Sequence, residues 1–122
     1  MTQSIADLLA ERGKTHGDYA VRAQITQDIK KVLHGSPNWQ PTSKRHLSPM
    51  QKETLEMIAH KMGRILAGNP DEPDHWADIA GYAELVHTRL IAAQQARRET
   101  VASPVATPAG LKRNTVNEGE PQ

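Results

Sequence analysis

No cysteine occurs in the 122 residues, which excludes disulfides, thiolate metal sites, iron–sulfur ligation and thiol nucleophiles. Phenylalanine is absent as well, and two tryptophans and two tyrosines are the whole aromatic complement. A core left to Leu, Ile, Val, Met and Ala favours helices, because strands draw heavily on aromatic and β-branched residues. No apolar run approaches the roughly 20 residues that a membrane span requires. The opening residues, MTQSIADLL, lack the basic and apolar regions of a secretory signal. Nor does charge of one sign dominate: 15 Lys and Arg against 14 Asp and Glu leave a net charge of +1, which exerts no global pull toward nucleic acid or membranes. The expectation is a cytoplasmic protein with no membrane partner and no strong nucleic-acid signal. Hydrophobic content of 37% and a mean hydropathy of −0.65 suit one domain with a modest core.

What the chain does have is helical periodicity throughout, without strand alternation. A short first helix is predicted from Ile5 to Arg12, capped by Ser4 with Asp7 at the capping-box position and stopped by Gly13. A second runs from a cap at Asp18 to Leu33 before Gly35, with Val21, Ile25, Ile29, Val32 and Leu33 on its apolar face. Residues 35–47 read as a loop carrying Trp39 and the basic cluster Lys44-Arg45-His46. Ser48, Pro49 and Gln51 form a complete start signal for a third helix that ends at Ala67 before Gly68. Its apolar arc is Leu55, Ile58, Met62, Ile65 and Leu66, opposite Glu53, Glu56, His60 and Arg64. A fourth helix is expected from a capping Asp74 to about Arg98, with Trp76, Ile79, Ala83, Val86 and Leu90 inward. Arg97 and Arg98 suit the negative end of its dipole. These helices form an expected domain of residues 1–100, and the Pro, Ser, Thr, Asn and Gly that follow predict a disordered tail over 101–122. Four helices with so little core, the first very short, also predict a homo-oligomer.

Three charges stand where an amphipathic pattern does not put them. Arg22 falls between Ile29 and Leu33, Lys61 between Met57 and Ile65, and Asp78 beside Tyr82. One reading has Arg22 and Lys61 snorkelling at helix edges with Asp78 as a structural counter-charge. The other gathers Arg22, Lys61 and Asp78 with Lys14, His16 and Asp18 around a cleft suited to phosphate or another anion.

A separate acidic set, Glu53 and Glu56 followed by Asp74 and Asp78, could bring four oxygen ligands around Mg²⁺ if the two helices packed antiparallel. Glu53-x-x-Glu56 and the helix order resemble the all-α nucleoside triphosphate pyrophosphohydrolases of the MazG and dUTPase type. The second pair, Asp-x-x-x-Asp, departs from their Glu-x-x-Asp, and Glu53 and Glu56 lie opposite the apolar arc. None of the six histidines forms the i, i+4 pair of a zinc helix. His60 reads as part of an exposed ladder with Glu56 and Arg64, His75 as structural, and His16, in a turn beside Gly17, as a candidate ligand contact.

Three blocks, Glu11-Arg12-Gly13-Lys14-Thr15-His16-Gly17-Asp18, His60 to Gly68 (HKMGRILAG) and Asp74 to Ala83 (DHWADIAGYA), resemble a family of small uncharacterised proteins of tailed phages and prophages. The resemblance covers residues 5–90, with His16 where an aromatic is more usual. It implies an all-α, MazG-like four-helix bundle and a viral accessory role in the host cytoplasm, and its blocks contain Lys14, Asp18, Lys61, Arg64, Asp78 and Tyr82. The leading expectation is therefore a protein that binds and sequesters a nucleotide or another phosphorylated small ligand in a cationic interhelical cleft, through Lys14, His16, Asp18, Arg22, Lys61, Arg64, Asp78 and Tyr82. The alternatives are a Mg²⁺-dependent pyrophosphohydrolase using Glu53, Glu56, Asp74 and Asp78, with metal-activated water as nucleophile, and a non-catalytic helical interaction module.

Overall fold

The computed structural model describes residues 3–102 and is all-α: α1 (Ile5–His16), α2 (Tyr19–His34), α3 (Pro49–Ala67) and α4 (Pro73–Ala102), with a short 3₁₀ turn at Pro37–Trp39. Contacts divide the chain between Val86 and His87, inside α4. Beyond that division the described residues form the last stretch of α4, where every side chain from His87 to Val101 is exposed. Residues 103–122, most of the expected tail, lie outside the described residues.

Caps explain most helix boundaries. Ser4 Oγ accepts from the Asp7 N–H at 3.0 Å and the Asp18 carboxylate from the Val21 N–H at 3.2 Å, so each satisfies a donor that its helix leaves free. At α3 the capping box is complete: Ser48 Oγ accepts from the Gln51 N–H at 3.1 Å while Gln51 Oε1 accepts from the Ser48 N–H at 2.9 Å.

Three boundaries differ from expectation. Helix α1 continues a full turn past Gly13, because glycine costs a helix interior only about 1 kcal/mol and blocks nothing. The terminator is Gly17, whose φ of +83° is open to glycine and strained for other residues; its N–H bonds back to the Gly13 carbonyl at 3.0 Å. Helix α4 starts one residue early, at Pro73, and Asp74 is not its cap. The Glu72 carboxylate accepts from the Asp74 N–H at 3.3 Å and the Glu72 carbonyl from the His75 N–H at 3.2 Å, so Asp74 sits in the first turn. At its other end α4 extends past Arg98 to Ala102, two residues into the segment assigned to the tail.

Packing centres on α3, which pairs chiefly with α2 and also meets α1. Ala59, buried to 1% exposure, and the buried Gly63 lie one turn apart on α3, and the buried Thr26 of α2 stands against Gly63. A Cβ on Gly63 would collide with Thr26 Oγ1 and stand 3.3 Å from the Arg22 carbonyl oxygen, so the two backbones approach as closely as a bare glycine permits. This small-residue contact rotates both helices away from the expected arcs. Val21 and Val32 on α2, Met62 and Leu66 on α3, and Trp76, Ala83 and Leu90 on α4 are exposed, whereas Ile25, Ile29, Leu33, Leu55, Ile58, Ile65, Ile79 and Val86 are half-buried.

A second close approach joins the α1–α2 turn to the end of α3. A Cβ on Gly17 would strike the Ala67 carbonyl, and one on Gly68 would strike the Thr15 carbonyl oxygen. The Asn69 N–H completes the junction by donating to that Thr15 oxygen at 2.9 Å. Opposite this end, His34 Nε2–H donates to Glu56 at 2.6 Å, the His34 and Trp39 rings pack with centroids 4.9 Å apart, and Lys52 Nζ lies 5.5 Å from the centre of the Trp39 ring.

Candidate functional site

The glycine junction between the α1–α2 turn and α3 gathers the chain's misplaced charges. His75, in the first turn of α4, is buried to 2% exposure, and its Nε2 lies 3.0 Å from the Thr15 carbonyl oxygen. A carbonyl only accepts, so Nε2 carries the proton. Thr15 oxygen thus receives two donors, from Asn69 and His75. The neighbouring Trp76 ties α4 to the preceding turn through its indole N–H, which donates to the Pro70 carbonyl at 2.8 Å. His16 follows Thr15 directly, and its ring packs against that of His75 at 5.5 Å with a tilt of 52°.

Lys61 is buried to 9% exposure, and its ammonium is 3.0 Å from Asp78 Oδ2 on α4, which is half-exposed. The hydrogen bond and charge of Lys61 hold the Asp78 carboxyl below the usual range, with lesser help from Arg64 and His75. Arg22 crosses Gly63 so closely that its Cγ would stand 3.4 Å from a Cβ there, and its guanidinium carbon lies 5.0 Å from the centre of the exposed Tyr19 ring. Arg64 follows Gly63 in sequence. Burial and the Arg22 charge lower its pKa, opposed by Asp78 and Tyr82. The Nε atoms of both Arg22 and Arg64 are buried and have no hydrogen-bond partner among the described residues. Burial lowers the His16 pKa, and repulsion from Arg64, His75, Arg22 and Lys61 lowers it further. His60 shifts the same way through burial, Lys30, Arg64 and Arg22, partly offset by Glu56.

Of the eight residues expected at a ligand site, His16, Arg22, Lys61, Arg64 and Asp78 share one electrostatic neighbourhood, and the half-buried Tyr82 borders it beside Arg64. Asp18 spends its carboxylate on capping α2, and Lys14 is exposed in the last turn of α1. The acidic set is apportioned differently: Glu53 is exposed, Glu56 is paired with His34, Asp74 is exposed in its helical turn, and Asp78 is paired with Lys61. Among the described residues, no group of three or more His, Asp or Glu side chains is arranged to hold a metal ion.

Sequence patterns did not point to Thr26 and Gly63, which let Arg22 lie across α3, nor to the Thr15 carbonyl as the tie to His75. The glycine between Met62 and Arg64 was the available signal, since glycine inside a helix marks a close approach. Comparisons with protein-family models, with curated proteins and with solved structures find no match to this chain.

Proposed function

We propose that the protein binds a nucleotide or another phosphorylated small molecule at the Arg22–Arg64 cluster, as a phage accessory protein that withdraws this ligand from the host cytoplasm. The observation that carries the reading is the pair of buried guanidinium Nε–H donors without partners. Buried donors are rarely left unbonded, and planar guanidinium groups match phosphate oxygens two at a time. The local charge balance supports it. Asp78 is bonded to Lys61 and only partly offsets Arg64, so Arg22 and Arg64 repel each other and an anion would lower their energy. The resemblance of the three sequence blocks to a phage family supports the biological setting.

The test is thermal unfolding with inorganic phosphate, nucleoside mono- and triphosphates and cyclic dinucleotides, with and without Mg²⁺. A ligand at 100 times its Kd should add about 2.7 kcal/mol. Arg64→Gln and Arg22→Gln should each remove that gain, and stronger stabilisation by nucleotides than by phosphate would identify the ligand as esterified. No stabilisation by any phosphate compound would reduce the protein to a helical interaction module. Release of pyrophosphate from a triphosphate, abolished by Asp78→Asn, would instead establish the pyrophosphohydrolase.

The same reading includes a second copy of the chain. Ala59 is the one fully buried hydrophobic residue among those described, while Ile5, Leu9, Val21, Val32, Met62, Leu66 and Trp76 are exposed. Helix α1 buries none of its 12 residues, and helices of that length are marginal without packing. A symmetric partner covering such side chains would reach the scale of a stable interface, roughly 800 Å² per copy. Light scattering should show a dimer that Leu66→Asp dissociates; a monomeric parent chain at high concentration would refute it.

A further inference from the structure

We infer that the loop between α2 and α3, together with the start of α3, is a binding surface for the phosphodiester backbone of a nucleic acid, carried by Lys44, Arg45 and Lys52. The surface lies at the opposite end of the α2–α3 pair from Arg22 and Arg64 and does not depend on the ligand proposed there. The net charge of +1 conceals an uneven distribution. Between Asp28 and Glu53 the chain has five lysines and arginines and no acidic residue, whereas between Arg64 and Arg89 it has five acidic residues and no lysine or arginine. The first stretch covers the end of α2, the loop and the start of α3; the second begins where α3 finishes, about 28 Å away along that helix. A near-neutral total therefore hides a cationic end, to which a polyanion is drawn.

The cations at that end are displayed on a frame that the chain builds for itself. Gln40 Nε2 donates to the His34 carbonyl at 2.7 Å, satisfying an acceptor that the end of α2 leaves free, and to the Ser36 carbonyl at 3.2 Å. Asn38 closes the loop: its carbonyl accepts from the Leu47 N–H at 2.7 Å and its side-chain oxygen from the Ser43 hydroxyl at 2.9 Å. Lys44, Arg45 and His46 occupy the turn between those two tethers, and all three side chains are exposed. Ser43 tightens the turn by accepting from the Arg45 N–H at 3.1 Å. Trp39, next to Asn38, has the Lys52 ammonium 5.5 Å from its ring centre, which stations Lys52 beside the same loop. Of the flanking carboxylates, Asp28 lies 3.9 Å from Lys31, Glu56 is bonded to His34, and Glu53 is exposed. Among the described residues none of them forms an ion pair with Lys44, Arg45 or Lys52.

A nucleic acid answers this surface better than the acidic stretch of a second copy. Ion pairs between exposed protein side chains are weak and screened by salt, so a few carboxylates on another chain gain little. Duplex DNA instead carries one charge per roughly 1.7 Å of its axis, and each phosphate that a lysine or arginine neutralises releases condensed counterions. The Arg45 fork can bond two phosphate oxygens at once, while Lys44 and Lys52 act as point charges. Contacts of this kind read the backbone and not the bases, so the binding is independent of sequence.

The test is fluorescence anisotropy of the full chain with a labelled DNA duplex of about 20 base pairs and with a labelled single strand of the same length. Binding to either form at 50 mM salt is expected, and three phosphate contacts predict that duplex affinity falls roughly 40-fold between 50 and 200 mM, a log–log slope of about −2.7. Lys44→Glu with Arg45→Glu should weaken binding at 50 mM salt at least roughly tenfold. The urea midpoint should not change, because both side chains are exposed and the loop is held by other groups. The milder pair Lys44→Gln with Arg45→Gln should flatten the duplex slope to about −0.9, one contact remaining. Arg97→Glu with Arg98→Glu makes the same change in net charge on α4 and should leave affinity within about twofold. No anisotropy change with either probe at 50 mM salt overturns the proposal, as does binding that the Lys44 and Arg45 substitutions leave intact. Equal weakening by the Arg97 and Arg98 pair reduces the effect to net charge and overturns the surface. Displacement of the probe by polyglutamate at matched charge concentration overturns the nucleic acid in favour of an acidic protein partner.

Discussion

The two ends of the α2–α3 pair are secured by opposite means. Where α2 begins and α3 finishes, main chain meets main chain: Gly17 against Ala67, Gly68 against Thr15, and Gly63 against the Arg22 carbonyl. Where α2 finishes and α3 begins, side chains do the joining, with His34 bonded to Glu56 and Trp39 lying against His34 and Lys52. At the second end His34, Glu56 and Lys52 all have partners. At the first, two guanidinium donors lack them and cations crowd one another. The contrast is what singles out the first end as the proposed ligand site, because polar groups left unsatisfied inside a rigid frame are the usual mark of a site prepared for a ligand.

The most severe way to break the glycine end is Gly17→Ala, which adds a positive-φ penalty to a collision with the Ala67 carbonyl. It should cost about 3 kcal/mol or prevent folding, measurable as the urea midpoint; an unchanged midpoint would mean the junction is not rigid. At the other end Trp39→Ala should cost less, about 1–2 kcal/mol, since it removes half-exposed ring contacts and leaves the backbone contacts intact. A gentler probe is acid. Between their lowered folded values and the ordinary 6.5, His16 and His60 hold fewer protons folded than unfolded, so unfolding binds protons there and stability must rise with pH. Moving from pH 7.5 to 5.5 without added anion should lower the urea midpoint, and His16→Gln should reduce the drop. A midpoint that rises on acidification would contradict the repulsive surroundings of His16. The smallest effect distinguishes two glycines of one region. Gly13 has nothing within 4 Å of its Cβ position, so Gly13→Ala should stabilise α1 by up to about 1 kcal/mol, opposite in sign to Gly17→Ala.

That pair also shows where sequence reasoning succeeds. Local chemistry was legible: Ser48, Pro49, Gln51 and Gly68 delimit α3 as expected, and Asp18 caps α2, because these signals act within four residues. Gly13 misled because composition does not reveal which of two nearby glycines takes a positive φ. Asp74 misled because a proline at the first helical position hands the capping role to Glu72. The arcs of α2 and α3 were rotated because Ala59 and Gly63 carry little hydrophobic weight on a wheel, yet small residues decide how closely helices approach. At the site, Arg22, Lys61 and Asp78 were visible as charges out of pattern, and Lys61 does meet Asp78. The His34–Glu56 bond spans 22 residues and two helices, a separation that no single-helix periodicity registers.

The doubly bonded carbonyl of Thr15 has an optical consequence. Its two donors sit in the turn before α4 and in the first turn of that helix, and the residue after His75 is Trp76, whose indole is itself tied to Pro70. A charge appearing on His16 therefore acts one peptide away from a carbonyl joined to the segment that carries a fluorophore. The other tryptophan, Trp39, lies at the far end of α2 beside His34. In a Trp39→Phe background, Trp76 emission becomes an intrinsic meter of the α1–α4 junction, a label-free way to test for entry of the proposed ligand.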